Sequence, residues 1–126
     1  MDIYVTWNNK TLNVYVNGEL VKEIVASNYT YFESDKCYST IGAPSFANEN
    51  YFNGVIRELK IFSKCLTTEE VEEYSNKALS LSTEGLKHYW KMSEGEGNLL
   101  VDCIQVEKAV IQGSNYEWID ADILNE

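Results

Sequence analysis

Between Ile3 and Val21, large β-forming residues alternate with polar ones around two turn signals, Asn8-Asn9-Lys10 and Asn17-Gly18. A period of two places Ile3, Val5 and Trp7 on one face of a strand and Tyr4 and Thr6 on the other. In the next strand Leu12, Val14 and Val16 share a face, and Asn13 and Tyr15 point away from it. Asn17-Gly18 supplies the positive φ that a two-residue hairpin turn requires. The pattern predicts a three-strand meander over 2–8, 11–16 and 20–25. It makes the chain an all-β sandwich candidate, suited to surface recognition more than to bond-making chemistry.

Further along, 28–36 reads as a polar and aromatic loop and 37–42 as a short strand ending in Ile41-Gly42. A longer loop holds the single proline, Pro44, and 51–62 reads as the next strand region. Gly54 there suits a close backbone approach, and a bulge between Ile56 and Leu59 would align Ile56, Leu59 and Ile61 on one face. One helix is expected, from Thr67 to about 78–80. Thr67 and Glu70 have the spacing of a capping box, and Leu66 and Val71 that of a hydrophobic staple. Val71, Tyr74 and Ala78 then line one face at helical spacing. Residues 82–85 read as a linker. The alternation of 86–92 sets Leu86, His88, Trp90 and Met92 on one face, 93–98 is a glycine-punctuated loop, and 109–112 and 116–119 read as short strands.

Composition narrows the function. The chain of 126 residues suits one domain, and its 44% apolar content can build one sandwich core. A net charge of −10 opposes nucleic acid and anionic membrane surfaces, because both are bound through Lys and Arg. The cluster Glu69, Glu70, Glu72 and Glu73 reads as a solvated helix face. No apolar run approaches the roughly 18 residues of a membrane span, so no membrane insertion is expected. The start of the chain does not have the pattern of a signal peptide. Cys37, Cys65 and Cys103 form no metal-binding pair motif. One disulfide with a free thiol and three reduced thiols both stay open, with Cys65–Cys103 the pair expected if one forms. Asn9 and Asn28 each open a glycosylation triplet, at Asn9-Lys10-Thr11 and Asn28-Tyr29-Thr30.

Catalytic constellations are weak. Glu33 and Asp35 are followed by Tyr38 where a third strand carboxylate would complete a glycan-cleaving set, and that set needs its acid and nucleophile roughly 5 Å apart. Glu94 with Glu96 and Asp120 with Asp122 are further carboxylate pairs, in glycine-rich or terminal stretches that hold geometry poorly. His88, the single histidine, has no nucleophile at a supporting spacing and reads as a packed residue. The chain is therefore not expected to be an enzyme. Aromatic residues carry the stronger signal. Nine Tyr and three Trp exceed the needs of a small core, to which Trp7, Trp90 and Phe62 are assigned. Tyr29, Tyr31, Phe32 and Tyr51 sit in or beside loops with Asn48 and Asn50. Exposed rings there offer large contact area at low entropic cost, so these six residues form the expected ligand-binding set.

The residues Val5-Thr6-Trp7, then Leu12, Val14-Tyr15-Val16 and Asn17-Gly18-Glu19-Leu20-Val21, resemble the paired central strands of the laminin-G-like, concanavalin A-like jelly-roll family. Ile41-Gly42, the run Phe52-Asn53-Gly54-Val55-Ile56 through Phe62, and Leu66 to Glu70 resemble later motifs of that family in the same order. This resemblance covers 3–80. Residues 85–102, with Trp90, Glu94, Gly97 and Asp102, resemble the opening of such a domain, which in the family comes first. The order is thus a second half (1–80), a linker (81–84) and a first half (85–126). Either the chain is a cut across tandem repeats, or it is a compact permuted sandwich closed by its own C-terminal strands or by a second copy.

The resemblance implies a non-catalytic binding module that recognises a carbohydrate or a protein at its loops. A structural or interaction spacer in a larger protein is the alternative, and a glycoside hydrolase a distant one. It also implies an extracellular or cell-surface setting, a turn role for Asp102, and a calcium ion at a loop rim. For that ion Glu33 and Asp35, with Asn48 and Asn50, are the oxygens most able to converge. A homodimer is the oligomer the second-copy version would give.

Overall fold

A computed structural model describes residues 1–26, 40–43 and 49–120 of the chain. The expected loop at 28–36, most of the strand at 37–42 and Pro44 lie outside the described residues. The regular structure of the described chain is antiparallel strand with one short helix, consistent with a concanavalin A-like sandwich.

The leading meander forms as expected. Strands β1 (Ile3–Trp7), β2 (Thr11–Val16) and β3 (Glu19–Val25) make one antiparallel sheet in that order. Asn8 Oδ1 accepts the amides of Lys10 and Thr11 at 3.1 and 2.7 Å, and Asn9 takes a φ of 72°. Asn17 and Gly18 take φ values of 50° and 86° in the two-residue turn. Register pairs Ile3 with Val16, Val5 with Val14 and Trp7 with Leu12, so the apolar face runs unbroken across β1 and β2. A bulge between Val14 and Tyr15 then shifts β3, setting Lys22 opposite Val14 and Glu19 opposite Val16.

The core lies on the other face. Tyr4, Thr6 and Tyr15 are buried, while Ile3 and Val5 stay 54% and 60% exposed. Helix α1 (Thr68–Tyr74) covers the tyrosine side. The predicted capping box is present. Thr67 Oγ1 accepts the Glu70 amide at 3.1 Å and Glu70 Oε1 accepts the Thr67 amide at 3.1 Å. The staple residues Leu66 and Val71 are buried in one cluster with Tyr4 and Tyr15. Burying such a side chain contributes about 1.5–3 kcal/mol, which outweighs the weak helix propensity of a two-turn segment. The helix ends before the predicted 78–80. Ser75 Oγ donates back to the Val71 carbonyl at 2.8 Å, and Asn76 turns to a φ of 58°. Asp2 then clamps this end to the meander, accepting the Asn76 amide at 2.8 Å.

The predicted strand 51–62 is extended only as β4 (Leu59–Phe62), and its bulge falls between Ile61 and Phe62. At Gly54 a Cβ would sit 2.8 Å from the Phe52 ring, the close approach expected there. Strand β4 pairs antiparallel with β5 (Leu86–Trp90), so the Trp-bearing ribbon of the tail docks on the segment before the helix. The bulge breaks the expected Leu86–His88–Trp90–Met92 face. Leu86 and Tyr89 are buried, whereas His88 and Trp90 stack on each other 5.4 Å apart. Strands β6 (Leu99–Val101) and β7 (Lys108–Val110) form a last hairpin, joined to β5 through a Trp90–Asp102 bridge. Residues 116–119 are not a strand. Tyr116 Oη and Trp118 Nε1 both donate to the Gly97 carbonyl, at 3.1 and 2.9 Å, which fixes them to the glycine loop instead of a ladder.

Candidate functional site

Three regions of the described chain can be weighed as sites, and the first is the free face of the leading sheet. Alternation sends Ile3, Val5, Val14 and Val16 away from the helix. The register adds Ile24 opposite Leu12, with Ile24 49% exposed. β3 is exposed along its whole length, but the register sets Leu20 opposite Tyr15 and Val25 opposite Thr11, so these two lie on the core-side face. The exposed apolar residues of the free face are Ile3, Val5 and Ile24. Its margin carries Glu19 and Lys22, one charge of each sign.

The second is the Asp102 centre. The Asp102 carboxylate is fully buried. Its Oδ1 accepts the amides of Tyr89, Ile104 and Gln105 at 3.1, 2.9 and 3.3 Å, and its Oδ2 lies 2.6 Å from His88 Nδ1. Burial pushes this carboxyl up. The Ile104 and Tyr89 amides, the His88 ring and the Gln105 amide outweigh burial and hold it below the usual carboxylate range. Every bond serves the backbone turn or the ring it orients, so the group organises the junction of β5 and β6. Beside it Tyr89 is buried, donates from Oη to Glu58 Oε2 at 3.2 Å, and lies under the Lys60 and Lys91 amines at 5.6 and 5.4 Å. Burial, then the Glu58 charge, raises its phenol.

The third is a depression of about 590 Å³ at the glycine loop, lined by Glu94, Glu96, Asn98, Leu99, Val101 and Lys108. Glu94 Oε1 accepts the Val101 amide at 2.9 Å, while its Oε2 is buried without a partner. The Glu94–Glu96 pair thus has one member committed to backbone structure.

Of the expected ligand-binding set, Asn50 and Tyr51 are described. Both are exposed, Asn50 has a φ of 60°, and Tyr51 is followed by the equally exposed Phe52, whose amide donates to the Gly42 carbonyl at 2.7 Å. Tyr29, Tyr31, Phe32 and Asn48 lie outside the described residues, as do Glu33 and Asp35 of the expected calcium site, Cys37, Asn28 and Asp122. Among the described residues no group of three or more His, Cys, Asp or Glu gathers as a metal site would require. Cys65 and Cys103 are free thiols, so of the two states left open by the sequence the Cys65–Cys103 disulfide is not the one formed. Cys65 is exposed beside the helix cap, whereas Cys103 is anchored by its amide to the Tyr89 carbonyl at 2.8 Å. No helix among the described residues is long and apolar enough to cross a membrane.

The core assignment from sequence also changes. Trp7, Trp90 and Phe62 are partly buried, and the most enclosed rings are Tyr15 and Tyr89. The free sheet face was visible in the sequence as an apolar row, but nothing local to that row says which face a helix will cover.

The family description "Concanavalin A-like lectin/glucanases superfamily" matches residues 2–72 of this chain. The chain belongs to that superfamily. No curated protein and no solved structure matches it.

Proposed function

We propose that the chain is a non-catalytic recognition module and that it meets a protein partner through the free face of β1, β2 and β3. The observation that carries this reading is the exposure of Ile3, Val5 and Ile24 on one sheet face whose opposite side already holds the core. Membership in a superfamily of binding and glycan-cleaving folds is compatible with it and selects no ligand. The reading has no catalytic step. The buried Asp102 carboxylate is spent on the backbone and on His88, and Glu94 on Val101. It also requires no cofactor.

A second reading, carbohydrate recognition at the loops, is favoured by the exposed neighbours Asn50, Tyr51 and Phe52. Rings beside an amide can stack on a sugar face and hydrogen-bond its hydroxyls.

Two measurements separate them. An apolar fluorescent dye should light up with the dilute wild-type chain and fall several-fold with Val5→Lys. A monomer by mass that stays dark with the dye has a covered face and overturns the protein reading. On a glycan array the wild type should be silent. A signal abolished by Tyr51→Ala would transfer the function to the loops.

A further inference from the structure

We infer that Asn53-Gly54 is a site of spontaneous deamidation in the folded chain, and that the fold shields the other Asn-Gly pair, Asn17-Gly18, from the same reaction. This modification is independent of which ligand the module recognises. Asparagine before glycine is the most labile setting for a side-chain amide, because glycine has no Cβ to screen its nitrogen.

The chemistry needs water alone. The glycine nitrogen attacks the asparagine Cγ and gives up its proton. The bond from Cγ to the side-chain nitrogen breaks, ammonia leaves, and a five-membered succinimide closes. One water then opens the ring. Attack at the side-chain carbonyl leaves aspartate, and attack at the main-chain carbonyl leaves isoaspartate, with the chain running through the former side chain. Closure has two demands. The asparagine side chain must swing beneath the next nitrogen, and the peptide plane between the two residues must rotate to present it.

Asn17-Gly18 meets neither demand. Asn17 Oδ1 accepts the Asp2 amide at 2.9 Å, and the Asn17 amide donates to the Asp2 carbonyl at 2.8 Å, so side chain and backbone are tied together. The pair is the whole turn between the partnered residues Val16 and Glu19. Gly18 also lies against the helix, where an added Cβ would be 3.6 Å from Glu72 Cα and from Ser75 Cβ. Rotating this peptide would break the hairpin and drive it into the helix.

Asn53-Gly54 meets both. The two residues are exposed and stand before β4, outside every strand. Among the described residues, neither the Asn53 side chain nor the Gly54 amide makes a hydrogen bond. Conversion places a new carboxylate directly after the exposed rings of Tyr51 and Phe52, and the isoaspartate form lengthens the main chain there by one methylene.

The test incubates the full wild-type chain at mildly alkaline pH, folded in one arm and unfolded in concentrated urea in the other. Peptide mapping by mass spectrometry follows each asparagine, and an isoaspartate-specific methyltransferase labels the rearranged product. In urea the two pairs should convert at rates within about twofold of each other, since both are then free. In the folded chain Asn53 should stay within about threefold of its urea rate, while Asn17 should slow at least about tenfold, because it reacts only after local opening. Asn53→Gln should remove the label from the folded chain. Slowing of Asn53 by about tenfold or more on folding, or conversion of Asn17 as fast as Asn53 in the folded chain, overturns the inference. So does a label that survives Asn53→Gln.

Discussion

His88 Nδ1 lies 2.6 Å from Asp102 Oδ2, and the other oxygen of that carboxylate holds three backbone amides. One buried side chain thereby fixes the end of β5, the turn after β6 and the ring that stacks on Trp90.

Asp102→Ala strands those three donors in a dry site, and it should cost about 3 kcal/mol in urea unfolding. Asp102→Asn keeps an acceptor for the amides and should cost roughly half as much. A loss below about 0.5 kcal/mol for the alanine variant would mean that water replaces the carboxylate.

The same carboxylate gives a pH signature. Its folded pKa is held below the ordinary value, so its contribution is fully present above the unfolded carboxylate pKa and disappears as pH falls through the folded one. Wild-type stability should therefore decline on acidification below the usual Asp range, and Asp102→Asn should flatten that decline. Parallel curves for the two proteins would contradict the assignment. Glu70, lowered by its bond with Lys64 and by the Thr67 amide, adds an effect of the same sign.

Thr67→Ala removes the acceptor for the Glu70 amide, and a lost N-cap of this type costs about 1 kcal/mol. Thermal unfolding should show the loss, and Thr67→Ser should restore most of it.

Tyr4 buries its hydroxyl without a partner in the cluster beneath the sheet. Burial, followed by the charges of Asp2 and Glu58, drives its phenol well above the ordinary value. Tyr4→Phe deletes the orphaned group at nearly constant volume and should raise stability by about 1 kcal/mol. Destabilisation by that amount would reveal a water bridging the hydroxyl.

Gly18 closes the β2–β3 turn at a φ of 86° with its Cα against the helix, where an added Cβ would lie 3.6 Å from Glu72 Cα. The space is adequate and the backbone conformation is not, so Gly18→Ala should cost roughly 1–2 kcal/mol from strain alone. Gly18→Asn should cost less, because Asn tolerates this region better.

Features set by nearby residues were legible in the sequence. Asn17-Gly18 announced the hairpin, and Thr67, Glu70, Leu66 and Val71 announced the helix start, because each signal acts within a few residues of its effect. What depended on distant contacts was not legible. The alternation of β1 is the same whichever face is covered, and the helix covers the tyrosine side, where Leu66 and Val71 cluster with Tyr4 and Tyr15. Residues 116–119 have strand composition, yet the Gly97 carbonyl captured two of their side chains. The helix was read too long because the Ser75 back-bond and the turn at Asn76 compete with propensity. The six-residue binding set remains a sequence expectation at Tyr29, Tyr31, Phe32 and Asn48, and which face of the leading sheet the helix leaves uncovered emerged from the structure alone.

The two halves of the architecture also differ in how far the chain must travel to build them. Hairpins β1–β2 and β2–β3 join neighbours across turns of a few residues, whereas β4 and β5 meet only after the whole helix and linker have been traversed. Short closures are fast and long ones slow. Trp7 thus stands in the part of the sheet closed by local turns and Trp90 in the part closed by the return of the tail, so the two rings would report the two closures separately.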